Sequence, residues 1–282
     1  MTARDTTSLR FRRFAKETLS EDTVLVKRVH GYFNSGKFPK RVEAHLIDRH
    51  VERSPDGWFH PSTHPGWTER SLYAYLTQPA ALDLRGWNYE GRLSANLGTM
   101  AHELIKEALI DDGALIRPDG DVCDSCLLPR KGRGLKCNEH GFSDTFTMSR
   151  GHIDGMLHPR LGLGVGGMDL KTSNGMSMKN LTNGDVEFFR TKWPYYYDQM
   201  QEYMRISGLR FFIVLFLSMG FPWEMKEVRV DYDEVRAFEI ERKYLRVREA
   251  AEAGKVPGDC CKFSGKSNDE CPSATLCRRG FQ

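Results

Sequence analysis

Residues 150–174 read R-G-H-I-D-G-M-L-H-P-R-L-G-L-G-V-G-G-M-D-L-K-T-S-N, and the fold turns on how this stretch is taken. Two short apolar runs flank a glycine-rich turn, the pattern of a β-hairpin with strands at 149–157 and 164–172. Asp154 falls in the first strand, Asp169 and Lys171 in the second. Side chains alternate along a strand, so Asp169 and Lys171 point to one face and Leu170 to the other. Two carboxylates and an ammonium on one sheet face can hold a divalent cation beside a phosphate. That is the chemistry of metal-dependent phosphodiester cleavage. Alone, an Asp-x-Lys triplet is usually a solvated ion pair, so its surroundings carry the weight.

Upstream, apolar residues at 101, 104, 105, 108 and 109 give helical spacing over 98–110 and put His102 in the helix's first turn. A neutral imidazole there can be a further metal ligand. Glu103 is turned about 100° away on the helix and stays out of the ligand set. Downstream, Gln199 and Tyr203 lie four apart in the aromatic-rich stretch 195–204 and share a helix face.

A helical His, then Asp154-Gly155, then Asp169-Leu170-Lys171, then Gln199-x-x-x-Tyr203, in this order, resembles the PD-(D/E)XK nuclease superfamily. Within it the likeness is to the RecB nuclease domain and the CRISPR-adaptation exonucleases, over residues 95–240. The resemblance implies a restriction-endonuclease-like mixed sheet. It implies His102, Asp154, Asp169 and the Leu170 carbonyl as ligands of Mg²⁺ or Mn²⁺, and Lys171 as the group that orients or activates the attacking water. Gln199 and Tyr203 would position the strand being cut. It points to a DNA exonuclease of recombination, repair or phage DNA metabolism. A structure-selective endonuclease and a non-catalytic nucleic-acid-binding subunit are the alternatives. Single-stranded or end-containing DNA would be the substrate, and recombination or replication proteins the partners.

The seven cysteines form two groups. Cys123-x-x-Cys126 and Cys137-x-x-His140, ten residues apart, have the spacing of a zinc knuckle. The basic, turn-rich loop between them could present to nucleic acid or merely be stapled. Cys260, Cys261, Cys271 and Cys277 sit near the C-terminus. The segment Cys271-P-S-A-T-L-Cys277 resembles the tail of iron–sulfur nucleases of the same branch. Adjacent cysteines and the nine-residue gap depart from that pattern. A [4Fe–4S] cluster, a second zinc and free thiols are all open readings, as is an upstream cysteine serving the C-terminal cluster.

With 282 residues, 40% hydrophobic and 11% aromatic, the chain can bury a substantial core. A net charge of +3 does not announce nucleic acid, although basic residues cluster at Arg10, Arg12, Arg13 and at Lys37, Lys40, Arg41. The start lacks a signal-peptide pattern and the longest apolar run, Phe211 to Leu217, is too short to span a bilayer. Both point to a cytoplasmic protein of a bacterium or phage-infected host, without membrane contact. Helices are expected near 9–19, 68–78, 98–110, 194–207 and from Asp233 to Ala253, with loops at 50–68 and a mobile connection at 173–190. Strands are expected at 210–217 and 223–232 beside the hairpin. The outline is α/β: an N-terminal helical region (1–94), a nuclease core (95–253) with a zinc-binding insertion (121–142), and a cysteine-rich tail (254–282).

Overall fold

Eight consecutive buried residues, Phe211–Ser218, run through the middle of the molecule. A strand with no exposed face must be covered on both sides and paired on both edges. The computed structural model describes residues 23–39, 56–82, 89–130, 137, 139–173, 175–219, 224–258 and 271–279. The helix expected at 9–19, the N-terminal basic cluster, Lys40, Arg41, the turn at 220–222, Cys260 and Cys261 lie outside the described residues.

In chain order the elements are α1 (Leu25–Asn34), α2 (Glu69–Thr77), α3 (Tyr89–Asp111), β1 (Leu115–Ile116), β2 (His140–Asp144), β3 (Ser149–Ile153), β4 (Gly155–Leu157) and β5 (Gly166–Ser173). There follow α4 (Gly175–Met178), α5 (Val186–Lys192), α6 (Pro194–Ser207), β6 (Phe211–Ser218), β7 (Met225–Asp231), α7 (Glu234–Glu252) and α8 (Ala274–Arg279). The central sheet is mixed, with strand order β1-β4-β5-β6-β7. β5 and β6 are parallel, with Asp169 beside Val214 and Lys171 beside Phe216. Parallel neighbours need a long crossover, and α4 to α6 supply it.

Alternation along β6 builds two cores. Phe211, Ile213, Leu215 and Leu217 pack with Leu25 and Val26 of α1 and Ile105 and Leu109 of α3. Phe212, Val214 and Phe216 pack with Phe189, Trp193, Met200 and Met204. Gly167 of β5 is required by this packing: a Cβ there would lie 2.6 Å from the Phe212 ring. A third cluster joins α2 to α7 through Leu72, Tyr73, Ile240, Tyr244 and Val247, with Phe59 against them. Thr68 caps α2 and Asp233 caps α7, each accepting a backbone N–H three residues on.

α1 has no side-chain cap of its own. The carboxylate of Glu227, from β7, accepts the N–H groups of Val24, Leu25 and Val26 instead. Glu227 also ties down the outer border of β7. Its N–H donates to Asn183 Oδ1 and its carbonyl accepts from the Gly184 N–H. At the opposite border β1 is only two residues long.

Three expectations change. The hairpin is broken: β3 pairs with β2 in a separate two-stranded sheet, whereas β4 pairs with β5 in the central one. Asp154 is the residue between them, not part of a strand, because the chain passes there from one sheet to the other. His102 lies in the middle of α3, which begins at Tyr89 and runs through residue 94. The connection 173–190 carries α4 and the start of α5, with Leu181 and Phe189 buried in the core. Among the described residues, no helix is long and apolar enough to cross a membrane.

Candidate functional site

The site opens where β4 and β5 part. Their pairing ends at Gly155 and Met168, and beyond that point the edge of β5 is free to accept other partners. The Leu170 N–H uses this freedom, donating to Asp154 Oδ2 at 2.7 Å. A residue's N–H and C=O project to the same edge of a strand, so the Leu170 carbonyl also faces away from β6, on the Asp154 side. Leu170's side chain is in the α1/α3 core, and alternation therefore turns Asp169 and Lys171 toward α6.

His102 Nδ1 lies 3.5 Å from Asp154 Oδ2. Lys171 Nζ lies 2.8 Å from Asp169 Oδ2 and donates to Gln199 Oε1 at 3.0 Å. Asp169 Oδ2 is a buried carboxylate oxygen whose neighbour among the described residues is this one ammonium, in an ion pair without regular hydrogen-bond geometry. Gln199 Nε2 donates to the Tyr203 hydroxyl at 3.4 Å, and the Tyr196 ring lies 4.6 Å from Lys171 Nζ. His102, Asp154, Asp169, the Leu170 backbone, Lys171, Gln199 and Tyr203 are thus brought together. Gln199 and Tyr203 are buried, Gln199 touching Lys171 and Tyr203 touching Gln199.

The electrostatics are those of acids crowded in a dry place. Burial pushes the Asp169 carboxyl up to about 6, with Lys171 opposing and the Asp154 charge adding to the rise. Burial also works against ionised Asp154. The His102 ring, Lys171 and the Leu170 N–H outweigh it and hold Asp154 well below the usual carboxylate range. His102 is itself raised, burial being outweighed by the two carboxylates. A third acid was not foreseen: Glu139, pushed up to about 7 by burial and by the Asp154 charge. The register explains its proximity, since His140 pairs with Ile153 and the next step of that ladder sets Glu139 across from Asp154. Glu103 is buried but bound to Lys106. Buried carboxylates, a carbonyl and an imidazole gathered in one place suit a hard divalent ion, with the imidazole favouring Mn²⁺ over Ca²⁺-type sites.

Cys123, Cys126 and Cys137 form a second group, and its fourth member is His152. The expectation of His140 is corrected: its Nε2 lies 3.1 Å from the Ile116 carbonyl. In the β2–β3 ladder Gly141, not His140, stands opposite His152. The four ligand atoms lie within 4.8 Å of one another. This group could hold a metal ion.

The likeness to solved structures is remote. LHK-Exo, an alkaline exonuclease from Laribacter hongkongensis, aligns over 72% of this chain and 91% of its own, at 16% identity and a TM-score of 0.41. LHK-Exo in complex with dAMP aligns over 71% and 90%, at 16% identity and a TM-score of 0.43. SSO0001 aligns over 92% and 95%, at 13% identity and a TM-score of 0.42. Likeness at this level carries no argument about activity. No protein-family model and no curated protein sequence matches the chain.

Of the C-terminal cysteines, Cys271 and Cys277 are described. Their sulfurs lie 3.4 and 3.9 Å from the Ser273 hydroxyl, and Cys271 also lies 3.6 Å from Ser71 of α2. The tail is thereby seated against α2. Most of the basic loop between Cys126 and Cys137, residues 131–136, lies outside the described residues.

Proposed function

We propose that the protein is a metal-dependent DNA nuclease, and an exonuclease in particular. The observation that carries this reading is the gathering of Asp154, Asp169, the Leu170 backbone, His102 and Lys171 at one break in strand pairing. His102, Asp154, Asp169 and the Leu170 carbonyl would hold Mg²⁺ or Mn²⁺. When bound, that ion supplies Lewis acidity toward water and neutralises charge on the phosphate oxygens. The protein's own groups do the rest. Lys171 keeps a fixed positive charge beside Asp169, where a scissile phosphate would accumulate negative charge. Gln199 holds the ammonium in place, and Tyr203 holds Gln199. Single-stranded or end-containing duplex DNA is the proposed substrate. Zn²⁺ is the proposed ion for the cysteine group, its Cys3His donor set being typical of that metal. For the C-terminal tail, the cysteines Cys260, Cys261, Cys271 and Cys277 suit a [4Fe–4S] cluster or a second zinc by ligand type.

The test is incubation with end-labelled single- and double-stranded DNA, with Mn²⁺, with Mg²⁺ and with neither. Mononucleotides released progressively from an end, only in the presence of metal, are expected. Internal cuts first would make it an endonuclease. Binding without any cleavage would make it a non-catalytic nucleic-acid-binding subunit.

A further inference from the structure

The Cys3His group is joined to the acidic centre in two places, and the spacing is the same in both. Cys137 is followed two residues later by Glu139, and His152 is followed two residues later by Asp154. Both acids lie on the Asp154 side of the β2–β3 ladder, one on each strand's path. Whatever fixes Cys137 and His152 therefore fixes the two chain segments that deliver Glu139 and Asp154.

Several features equip the group for an ion. Cys123 Sγ lies 3.2 Å from His152 Nε2 and all four donor atoms lie within 4.8 Å of one another, near the ~3.5–3.8 Å edges of a tetrahedron built on Zn–S and Zn–N bonds of about 2.3 and 2.0 Å. The backbone N–H groups of Ser125 and Cys126 point at the Cys123 sulfur, and that of Leu128 at the Cys126 sulfur. Such donors stabilise thiolates that coordinate a cation. Leu127, next to Cys126, has a φ of 60°, a left-handed conformation that residues with a Cβ rarely adopt. Gly141 leaves the space that the Cys123 sulfur fills: a Cβ there would come within 2.6 Å of it. β3 is tied at Ser149 to Phe59 and packs through Ile153 on the core, and a metal clip across β2 and β3 would further fix the end of the ribbon next to Glu139 and Asp154.

We propose that Cys123, Cys126, Cys137 and His152 bind one Zn²⁺, and that this ion is a positioning device for the catalytic centre, clamping the ends of the two strands next to Glu139 and Asp154. The ion has no open coordination position and takes no part in cleavage. It sets the geometry with which Asp154 meets the catalytic cation. This builds on the nuclease reading given above, but its decisive measurements do not need DNA.

The test uses the full chain. Zinc content by elemental analysis is compared for the wild type, His140→Ala, His152→Ala and His152→Cys. Mn²⁺ binding to the acidic centre is followed by electron paramagnetic resonance. His140→Ala is expected to keep the full zinc content, His152→Ala to lose one equivalent, and His152→Cys to regain it as a four-thiolate site. Loss of that zinc should weaken Mn²⁺ binding by about 10–100-fold, the scale of removing groups that orient metal ligands. His152→Cys should restore it. Zinc lost from His140→Ala, or absent from His152→Cys, would overturn the ligand assignment even if His152→Ala does not fold. Unchanged Mn²⁺ affinity in a folded, zinc-depleted His152→Ala would overturn the clamp. If the zinc and Mn²⁺ results hold but no DNA is cut, the nuclease reading fails and the clamp stands.

Discussion

At the scale of single residues, Asp169 and Lys171 invite the sharpest tests. Asp169→Ala removes the buried carboxylate paired with Lys171 and is expected to abolish cleavage, while circular dichroism stays as in the wild type. Residual cutting at the wild-type rate with Mn²⁺ would refute the site. Lys171→Ala should lower kcat by roughly 10²-fold or more, the cost of removing one preorganised charge, with KM for DNA little changed. Gln199→Leu should produce a smaller kcat loss of the same kind, because it frees the Lys171 ammonium from one of its two holders. Much of this site was legible. Asp154, Asp169, Lys171, His102, Gln199 and Tyr203 were all expected from the order of motifs, and all converge. His152 and Glu139 were hidden for different reasons. A C-x-x-H spacing favours His140, and only the strand register turns that ring toward Ile116 and sets His152 beside the thiols. Glu139 belongs to no motif and becomes relevant only when the ladder faces it toward Asp154.

At the scale of elements, most of the folding pattern followed from local rules. The unbroken apolar run at 211–217 gave a strand buried on both faces, and Asp233 marked the start of α7. Two features could not be read this way. The break at Asp154 arises because its two flanking strands belong to different sheets, a fact about pairing rather than composition. The cap of α1 comes from Glu227, about two hundred residues along the chain. Three N–H groups share this carboxylate, and hydrogen bonds to a charged acceptor are the stronger kind. Glu227→Ala is therefore expected to destabilise the fold by roughly 2–3 kcal/mol, seen as a lower urea midpoint. Glu227→Gln should recover part of the loss, and an unchanged midpoint would show that α1 contributes little to stability.

At the scale of the whole molecule, acid sensitivity should be traceable to His64. Its ring is buried among Phe59, Trp67 and Tyr75, and its Nδ1 accepts the His60 N–H at 2.8 Å. Burial, helped by the charges of His60 and Lys243, lowers it to about 3, with Asp56 opposing. The native protein therefore keeps this ring neutral at pH values where the unfolded chain, with an imidazole near 6.5, takes up a proton. At this group the unfolded state binds more protons, so its contribution to stability is full above about pH 6.5 and is lost as pH drops toward 3. Between pH 7 and 5 the loss from this one group is on the order of 1–2 kcal/mol. His64→Gln should flatten the urea-midpoint profile over that interval, and a slope equal to the wild type's would assign the acid sensitivity elsewhere.

The two borders of the central sheet have a consequence for how copies of the protein behave toward each other. A foreign strand seeking to extend the sheet at β7 meets Glu227 with its backbone donor and acceptor already engaged by Asn183 and Gly184. It also meets exposed charge at Arg229 and Asp231. At β1 it finds only two residues to follow. Templated β-addition, the route by which open strands seed fibrils, is obstructed at both margins, so crowding should not drive growth of the sheet from one copy to the next.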